Sequence, residues 1–372
     1  MTLEGLAREG CQVTLIAPVD RRHMEQARAD SAPAEGCQPV LVPVQPLARL
    51  RALALGWRLP LAVARHVQPA VWGEVEARLE SGHFDLVHVE QLQALPQAEP
   101  AFRRGLPVVL RAQNVESDLW RATAKTMGGW RGRLFKIEAR RLARWEGKAV
   151  RRVSAVLALS EEDGTRLRFL AQGGGRVRVV RPPFPDLPPG PSSLPGEPPL
   201  VLLVSRGWLP NEDSLRWFLE SVWPAVRAEV PGAVLHLFGA EPGGPLPPGT
   251  VPHQAPRESA EAFAPGSILA VPLRIASGVR MKVLEAWARG VPVVGTPEAL
   301  SGLEVEDGRE ALVADGAFGF AQAVARLHRE PGLARSLAEN GRWSLRRRHD
   351  PAQLATQLLT AYAEATKKNQ LR

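Results

Sequence analysis

Cysteine is almost absent from this chain. Cys11 and Cys37 are the only two in 372 residues. That is too few for a disulfide scaffold, and their spacing suits no metal site, so both read as reduced structural residues. No stretch approaches the roughly 20 uninterrupted apolar residues of a membrane-spanning helix. The opening MTLEGLAREG lacks the apolar core of a secretory signal, and the expectation is a cytoplasmic protein. Lysine is also scarce, with six residues at 125, 136, 148, 282, 367 and 368 among 47 basic ones. The formal charge of +8 is therefore almost entirely arginine, and with 34 prolines it points to a GC-rich coding bias. That blunts the argument from charge to polyanion. No RNP-type aromatic motif or zinc knuckle is present, so no nucleic-acid partner is expected.

What is present is length and rhythm. With 372 residues and 45% apolar content, two domains can each bury an ordinary core. Short Val- and Leu-rich runs (CQVTLIAP, FDLVHVEQ, GLPVVLRAQ, VSAVLALS, VRVVRP) alternate with amphipathic stretches in the first half. After a Pro-rich stretch the rhythm restarts with PLVLLVS, AVLHLFGA, SILAVPL, VPVVGTP and EALVAD. This is βαβ alternation, and it predicts two doubly wound parallel-sheet α/β domains. The expected boundaries are an N-terminal domain over 1–185, a linker over 186–199, a C-terminal domain over 200–350, and a final helix over 351–372 able to cross back to the first domain. In such folds ligands sit at the carboxyl ends of strands, beside helix N-termini whose free amides suit phosphate.

Ser160, followed by Glu161, Glu162 and Asp163, reads as a helix N-cap. Trp130 to Arg152 carries nine basic residues and two acids. It is either a solvated helix face or a basic surface for anionic lipid or an anionic acceptor. His88 and Glu90 close the run FDLVHVE at a carboxyl edge, where either could touch a ligand. Trp208, Trp217, Trp223 and Trp287 read as core residues between helix and sheet.

The segment richest in chemistry runs from Pro272 through Ser277-Gly278-Val279-Arg280-Met-Lys282-Val-Leu-Glu285 to Gly290-Val-Pro-Val-Val. A strand is predicted to end at Leu273, and a helix to open near Val279. Ser277 and Gly278 would let a diphosphate approach the backbone, while Val279 and Arg280 would offer amides at a helix N-terminus. Lys282 and Glu285 are three apart and share a face. Such a pair suits a nucleotide, with the cation for phosphate and the carboxylate for ribose hydroxyls. The alternative for Lys282 is an exposed surface lysine.

This segment resembles the retaining GT-B glycosyltransferases of family 4, particularly bacterial exopolysaccharide-type members with a Ser-Gly-x-Arg-x-Lys-x-Leu-Glu-Ala run followed by Gly-x-Pro-Val-Val. Weaker similarity extends to Phe84–Gln91, Gln113–Glu116, Ala158–Asp163 and Ser205–Asn211, so both domains are covered. The resemblance implies a GT-B fold of two Rossmann-like domains and places Glu285 at the second glutamate of the family's Glu-x7-Glu signature, which holds donor ribose. Ser277 stands where the first glutamate would be. Arg206 matches the family's diphosphate-binding arginine, with Lys282 in place of a missing lysine partner. Gln113 occupies a position where many members carry histidine, and an amide can hydrogen-bond a sugar but cannot titrate.

The implied reaction moves a sugar from a nucleotide-diphosphate donor to an acceptor hydroxyl with retention. The acceptor would be a saccharide or lipid-linked molecule, in cell-surface polysaccharide or glycolipid synthesis. Arg206, Lys282, Gln113 and Glu90 are the candidate catalytic residues; Ser277, Gly278, Val279, Arg280 and Glu285 are the candidate donor-binding residues. No Asp-x-Asp signature occurs, and neither metal nor cofactor is expected. Two other readings are a nucleotide-sugar-binding module without turnover and a GT-B epimerase; Ser277 weighs against the second. Leu3 to Gly10 resembles the end of the first helix of such a domain, so the first strand and its glycine-containing loop are expected to be missing.

Overall fold

The computed structural model describes residues 2–30, 36–44, 48–190, 193–205, 209–239 and 244–370. The chain forms two units, Met1–Pro183 with Pro351–Arg372, and Phe184–Asp350.

The first unit contains two parallel sheets where the sequence predicts one. After α1 (Thr2–Arg8), β1 (Val13–Asp20) pairs with β2 (Cys37–Val44). A separate sheet has the order β3 (Val87–Glu90), β4 (Val108–Ala112), β5 (Ala155–Ala158), β6 (Val177–Val179). Parallel strands hydrogen-bond only about 4.8 Å apart, and among the described residues no pairing joins β1 to β3. Burial follows from this. Every residue of β4 and β5 is buried, whereas no residue of β1 is, and Leu15 is 37% exposed.

The four-stranded sheet is covered on both faces, as its continuous apolar runs require. Alternate residues Val109, Ala155 and Leu157 pack with Leu6 of α1 and with Leu354, Leu358 and Ala361. Their neighbours Leu110, Val156 and Ala158 pack with Leu142, Val150 and Leu167. The helices of this unit include α2 (Ala48–Leu55), the hairpin of α3 (Glu116–Met127) and α4 (Gly129–Arg152), and α5 (Glu161–Leu170). Ser160 caps α5 as expected, accepting from the Asp163 amide at 3.1 Å.

The second unit is one six-stranded parallel sheet in the order β12-β11-β10-β7-β8-β9. Its strands are β7 (Pro199–Leu203), β8 (Val234–Phe238), β9 (Thr250–His253), β10 (Ile268–Val271), β11 (Val293–Gly295) and β12 (Leu312–Val313). The first strand in sequence, β7, lies beside the fourth, β10, so the winding reverses between them. The helices of this unit include α6 (Leu209–Trp217), α7 (Met281–Arg289) and α8 (Pro331–Arg348), after which α9 (Pro351–Gln370) returns to the first unit.

Trp223 and Trp287 are fully buried core residues, and Trp208 lies outside the described residues. Trp287 fixes α7 because its indole N–H donates to the Glu310 carbonyl at 3.0 Å. A Cβ built on Gly341 would lie 2.3 Å from Trp287 Cδ1, so α8 passes α7 at a distance only glycine permits.

Candidate active site

In an open parallel sheet the binding crevice lies outside the carboxyl ends of the strands where the winding reverses. In the second unit that point is between β7 and β10, and Lys282 spans it. Its Nζ donates to the Leu203 carbonyl at the end of β7, at 2.8 Å, while its backbone starts the helix that follows β10. Burial pushes the ammonium down to about 8, and among the described residues no carboxylate pairs with it. A desolvated cation held by one backbone carbonyl keeps two N–H donors for an anion. The surface-lysine alternative is therefore wrong. Arg206, three residues beyond Leu203, lies outside the described residues.

The loop between β10 and α7 is set by contacts far apart in sequence. Arg274 binds Asp213 of α6 through two bonds, at 2.7 and 3.0 Å, and its guanidinium lies 5.3 Å from the Trp217 ring centroid. Nothing in the sequence signals this clamp, because the partners are 61 residues apart. Gly278 has φ of 76°, which a side chain would strain. The helix opens at Met281, two residues later than predicted, with Arg280 in extended conformation as its N-cap. The turn must first bring Val279 onto the core. The amides of Met281 and Lys282, in the first turn, have no intrahelical acceptor ahead of them, and the first intrahelical bond runs from the Val283 amide to the Arg280 carbonyl at 2.9 Å. The Arg280 side chain is buried and reaches Ser301 Oγ at 3.4 Å. Ser277 is partly exposed on the loop.

Glu285, one turn on, does not pair with Lys282. Its Oε1 accepts from Arg289 Nε at 3.0 Å, and Arg289 Nη1 donates to the Pro188 carbonyl at 2.9 Å. One carboxylate oxygen is fixed by this chain, and the other has no partner among the described residues. At the edge of the sheet, His236 bridges the Pro195 carbonyl (2.8 Å) and His253 (2.9 Å), while Phe238 stacks on His253 at 4.2 Å.

The first unit brings Glu90 and Gln113 together at the carboxyl ends of β3 and β4. Gln113 Nε2 donates to Glu90 Oε2 at 3.3 Å, Gln91 Nε2 donates to Gln113 Oε1 at 3.0 Å, and Arg111 Nη1 donates to Glu90 Oε1 at 3.2 Å. His88 Nε2 lies 3.3 Å from Glu90 Oε1, and its Nδ1 is 2.7 Å from the Tyr362 hydroxyl on α9. Burial raises the Glu90 carboxyl, but His88, Arg111 and Gln113 outweigh it and bring the group down to about 2. Gln91 has a φ of 71°, a strained value for a non-glycine residue at a strand end. Arg111 and Tyr362 were not legible in the sequence as members of this group.

The Gln113 loop is held at its far end by a second acid that sequence reasoning missed. Val115 cannot cap α3, and Glu146 of α4 does so instead, accepting from the amides of Glu116 (2.9 Å) and Ser117 (3.3 Å). Burial pushes this carboxyl up to about 8, against the pull of those hydrogen bonds. A carboxyl raised on folding contributes stability that is full below its unfolded value near 4.5 and is lost as pH rises through about 8. Thermal denaturation from pH 5 to pH 9 is expected to show a falling Tm in the parent protein and a flatter profile for Glu146→Gln. A parallel fall in the variant would remove Glu146 as the cause.

Comparison with known proteins bears on the fold and the family. The family model for glycosyl transferases group 1 matches residues 198–330, and the glycosyl transferase 4-like domain model matches residues 1–185. Among curated protein sequences none matches. Solved structures with the same fold include sucrose-phosphate synthase from Thermosynechococcus elongatus, at 17% identity and TM-score 0.69, covering 99% of this chain and 92% of that one. Anabaena HepE in complex with UDP and glucose matches at 15% identity and TM-score 0.64, covering 97% and 95%. An α,α-trehalose 6-phosphate synthase from Burkholderia multivorans matches at 12% and 0.62, covering 96% and 99%. At these identities the likeness establishes the fold, while the two family models, one on each half, establish the kinship: this chain belongs to the GT-B glycosyltransferases.

Proposed function

We propose that the chain transfers a sugar from a nucleotide-diphosphate donor to an acceptor hydroxyl with retention of configuration, using no bound metal. The saccharide or lipid-linked acceptor would belong to cell-surface polysaccharide or glycolipid synthesis. The observation that carries this reading is Lys282, a desolvated ammonium with no carboxylate partner among the described residues, spanning the switch point of the second sheet. In the transfer the bond from C1 to the diphosphate oxygen breaks, the acceptor oxygen bonds to C1, and the acceptor proton leaves with the diphosphate. Charge develops on the leaving oxygen, so cations and amides fixed in advance lower the barrier without reorganising. Lys282, Arg206 and the amides of Met281 and Lys282 fill that role, and the second oxygen of Glu285 takes the ribose.

Glu90 and Gln113 are assigned to sugar hydroxyls. A carboxylate brought down to about 2 is too weak a base to take a proton efficiently near neutrality, and an amide cannot titrate. This pair therefore positions by hydrogen bonding. UDP and UDP-glucose bound to HepE support a nucleotide-sugar donor here.

The test is a thermal-shift screen of nucleotide sugars, followed by measurement of nucleoside diphosphate released with water as acceptor. A donor at about 100 times its Kd stabilises by roughly 2.7 kcal/mol, a shift of several degrees. Stabilisation with release supports transfer. Stabilisation without release replaces the enzyme with a binding module, and no stabilisation by any donor overturns the reading.

A further inference from the structure

The outward face of α4 belongs to neither group of candidate site residues, and its composition is unusual. Trp130, Leu134, Ile137, Arg144, Lys148 and Arg151 follow one another in steps of 4, 3, 7, 4 and 3, which at 3.6 residues per turn keeps them on one stripe. All six are exposed. Both acids of the helix point inward. Glu138 accepts from the Leu61 amide and from Arg141 Nη1 at 3.0 Å, and Glu146 caps α3. The stripe is thus apolar towards its start, where exposed Arg131, Arg133, Lys136 and Arg140 flank it, and basic towards its end, and the exposed face of α4 carries no acid.

The apolar part is widened by α2. Arg141 Nη2 donates to the carbonyls of Gly56 and Leu59, the latter at 3.1 Å, fixing the turn after α2 against the middle of α4. Leu53 and Trp57 beside that turn are 82% and 78% exposed, and Trp130 is 67% exposed. Arginines lie over both indoles, Arg58 at 5.3 Å from Trp57 and Arg131 at 5.5 Å from Trp130. At the basic end, an open depression of about 590 Å³ is lined by Arg144, Lys148, Arg151 and the exposed ring of Phe169.

We propose that this face of the first unit docks on an anionic lipid bilayer. Trp57, Trp130, Leu134 and Ile137 enter the headgroup boundary while Arg144, Lys148 and Arg151 meet lipid phosphates. Charge complementarity selects the occupant. A second copy of the chain would bring the same cations against one another across a two-fold axis, and an aqueous polyanion would leave the large apolar side chains in water. Among the described residues no helix is long and apolar enough to cross a membrane, so the contact is peripheral. Interleaved tryptophan and arginine on one helix face is the pattern of segments that lie in the interface plane.

Sedimentation of the full chain with vesicles tests this independently of any transfer chemistry. Binding is expected to vesicles of mixed phosphatidylglycerol and phosphatidylcholine, with a blue shift in tryptophan emission, and not to phosphatidylcholine alone. Reversing Arg144, Lys148 and Arg151 together to glutamate should lower partitioning at least roughly a hundredfold. Replacing Trp57 and Trp130 by alanine should weaken binding and remove the blue shift. Both variants should retain the parent's Tm and its donor-binding signal in solution. No sedimentation with anionic vesicles, equal sedimentation with the zwitterionic ones, or unchanged partitioning of a folded charge-reversal variant would overturn the proposal. A self-association that the tryptophan variant abolishes would overturn it as well.

Discussion

Lys282→Ala is expected to lower kcat/KM for nucleoside diphosphate release by roughly a hundredfold or more, the usual loss when one preorganised donor is removed from a developing anion. Tm should change little, because the ammonium has one backbone carbonyl as partner and its deletion leaves no buried charge behind. The pH profile makes the test sharper. Free Lys282 titrates at about 8, and kcat/KM reports groups of the free protein. Above that pH the lysine is neutral and kcat/KM should fall, by up to tenfold per pH unit. Arginine stays protonated at every accessible pH, so Lys282→Arg should move the fall to higher pH if the longer side chain still reaches the donor. An alkaline limb unchanged in both variants would assign it to another group and take Lys282 out of the site.

Glu285 gives the second large effect. Its replacement by alanine is expected to abolish detectable donor binding in the thermal-shift assay, but the variant should also be less stable by about 1–3 kcal/mol. The loss arises because Arg289, with a side chain 8% exposed, has Glu285 as its acidic partner and would be left buried without it. Glu285→Gln separates the two effects, since an amide oxygen can still accept from Arg289 Nε. That variant should keep a Tm near the parent's while donor affinity falls about tenfold. Parent-like affinity in the glutamine variant together with an unstable alanine variant would make Glu285 purely structural.

Much of the architecture was legible because it is written in local patterns. Five apolar runs in each half mark most of the strands, and Ser160 with three acids after it marks a helix start. The segment from Ser277 to Glu285 could be read as a turn entering a helix because glycine, small residues and amphipathic spacing lie next to one another in sequence. The side-chain partners were not legible, because they depend on strand order. Lys282 meets Leu203 across 79 residues, Arg274 meets Asp213 across 61, and Tyr362 meets His88 across 274. The two acids within the basic segment Trp130 to Arg152 gave no hint that both turn inward. Their partners, the amides of Leu61, Glu116 and Ser117, are backbone groups with no signature in composition.

Tyr362 is the chain's single tyrosine, and it sits edge-on to His88 at 5.7 Å with its phenol pushed upward by burial and by the nearby Glu90 charge. Biosynthetic incorporation of a fluorinated tyrosine would therefore place one fluorine in the whole molecule, next to the hydrogen-bonded group that ends on Glu90 and Gln113. A single resonance would report both the seating of α9 on the first unit and the arrival of a sugar at those side chains. The two are separable, since unseating exposes the ring to water and an occupied site leaves it dry.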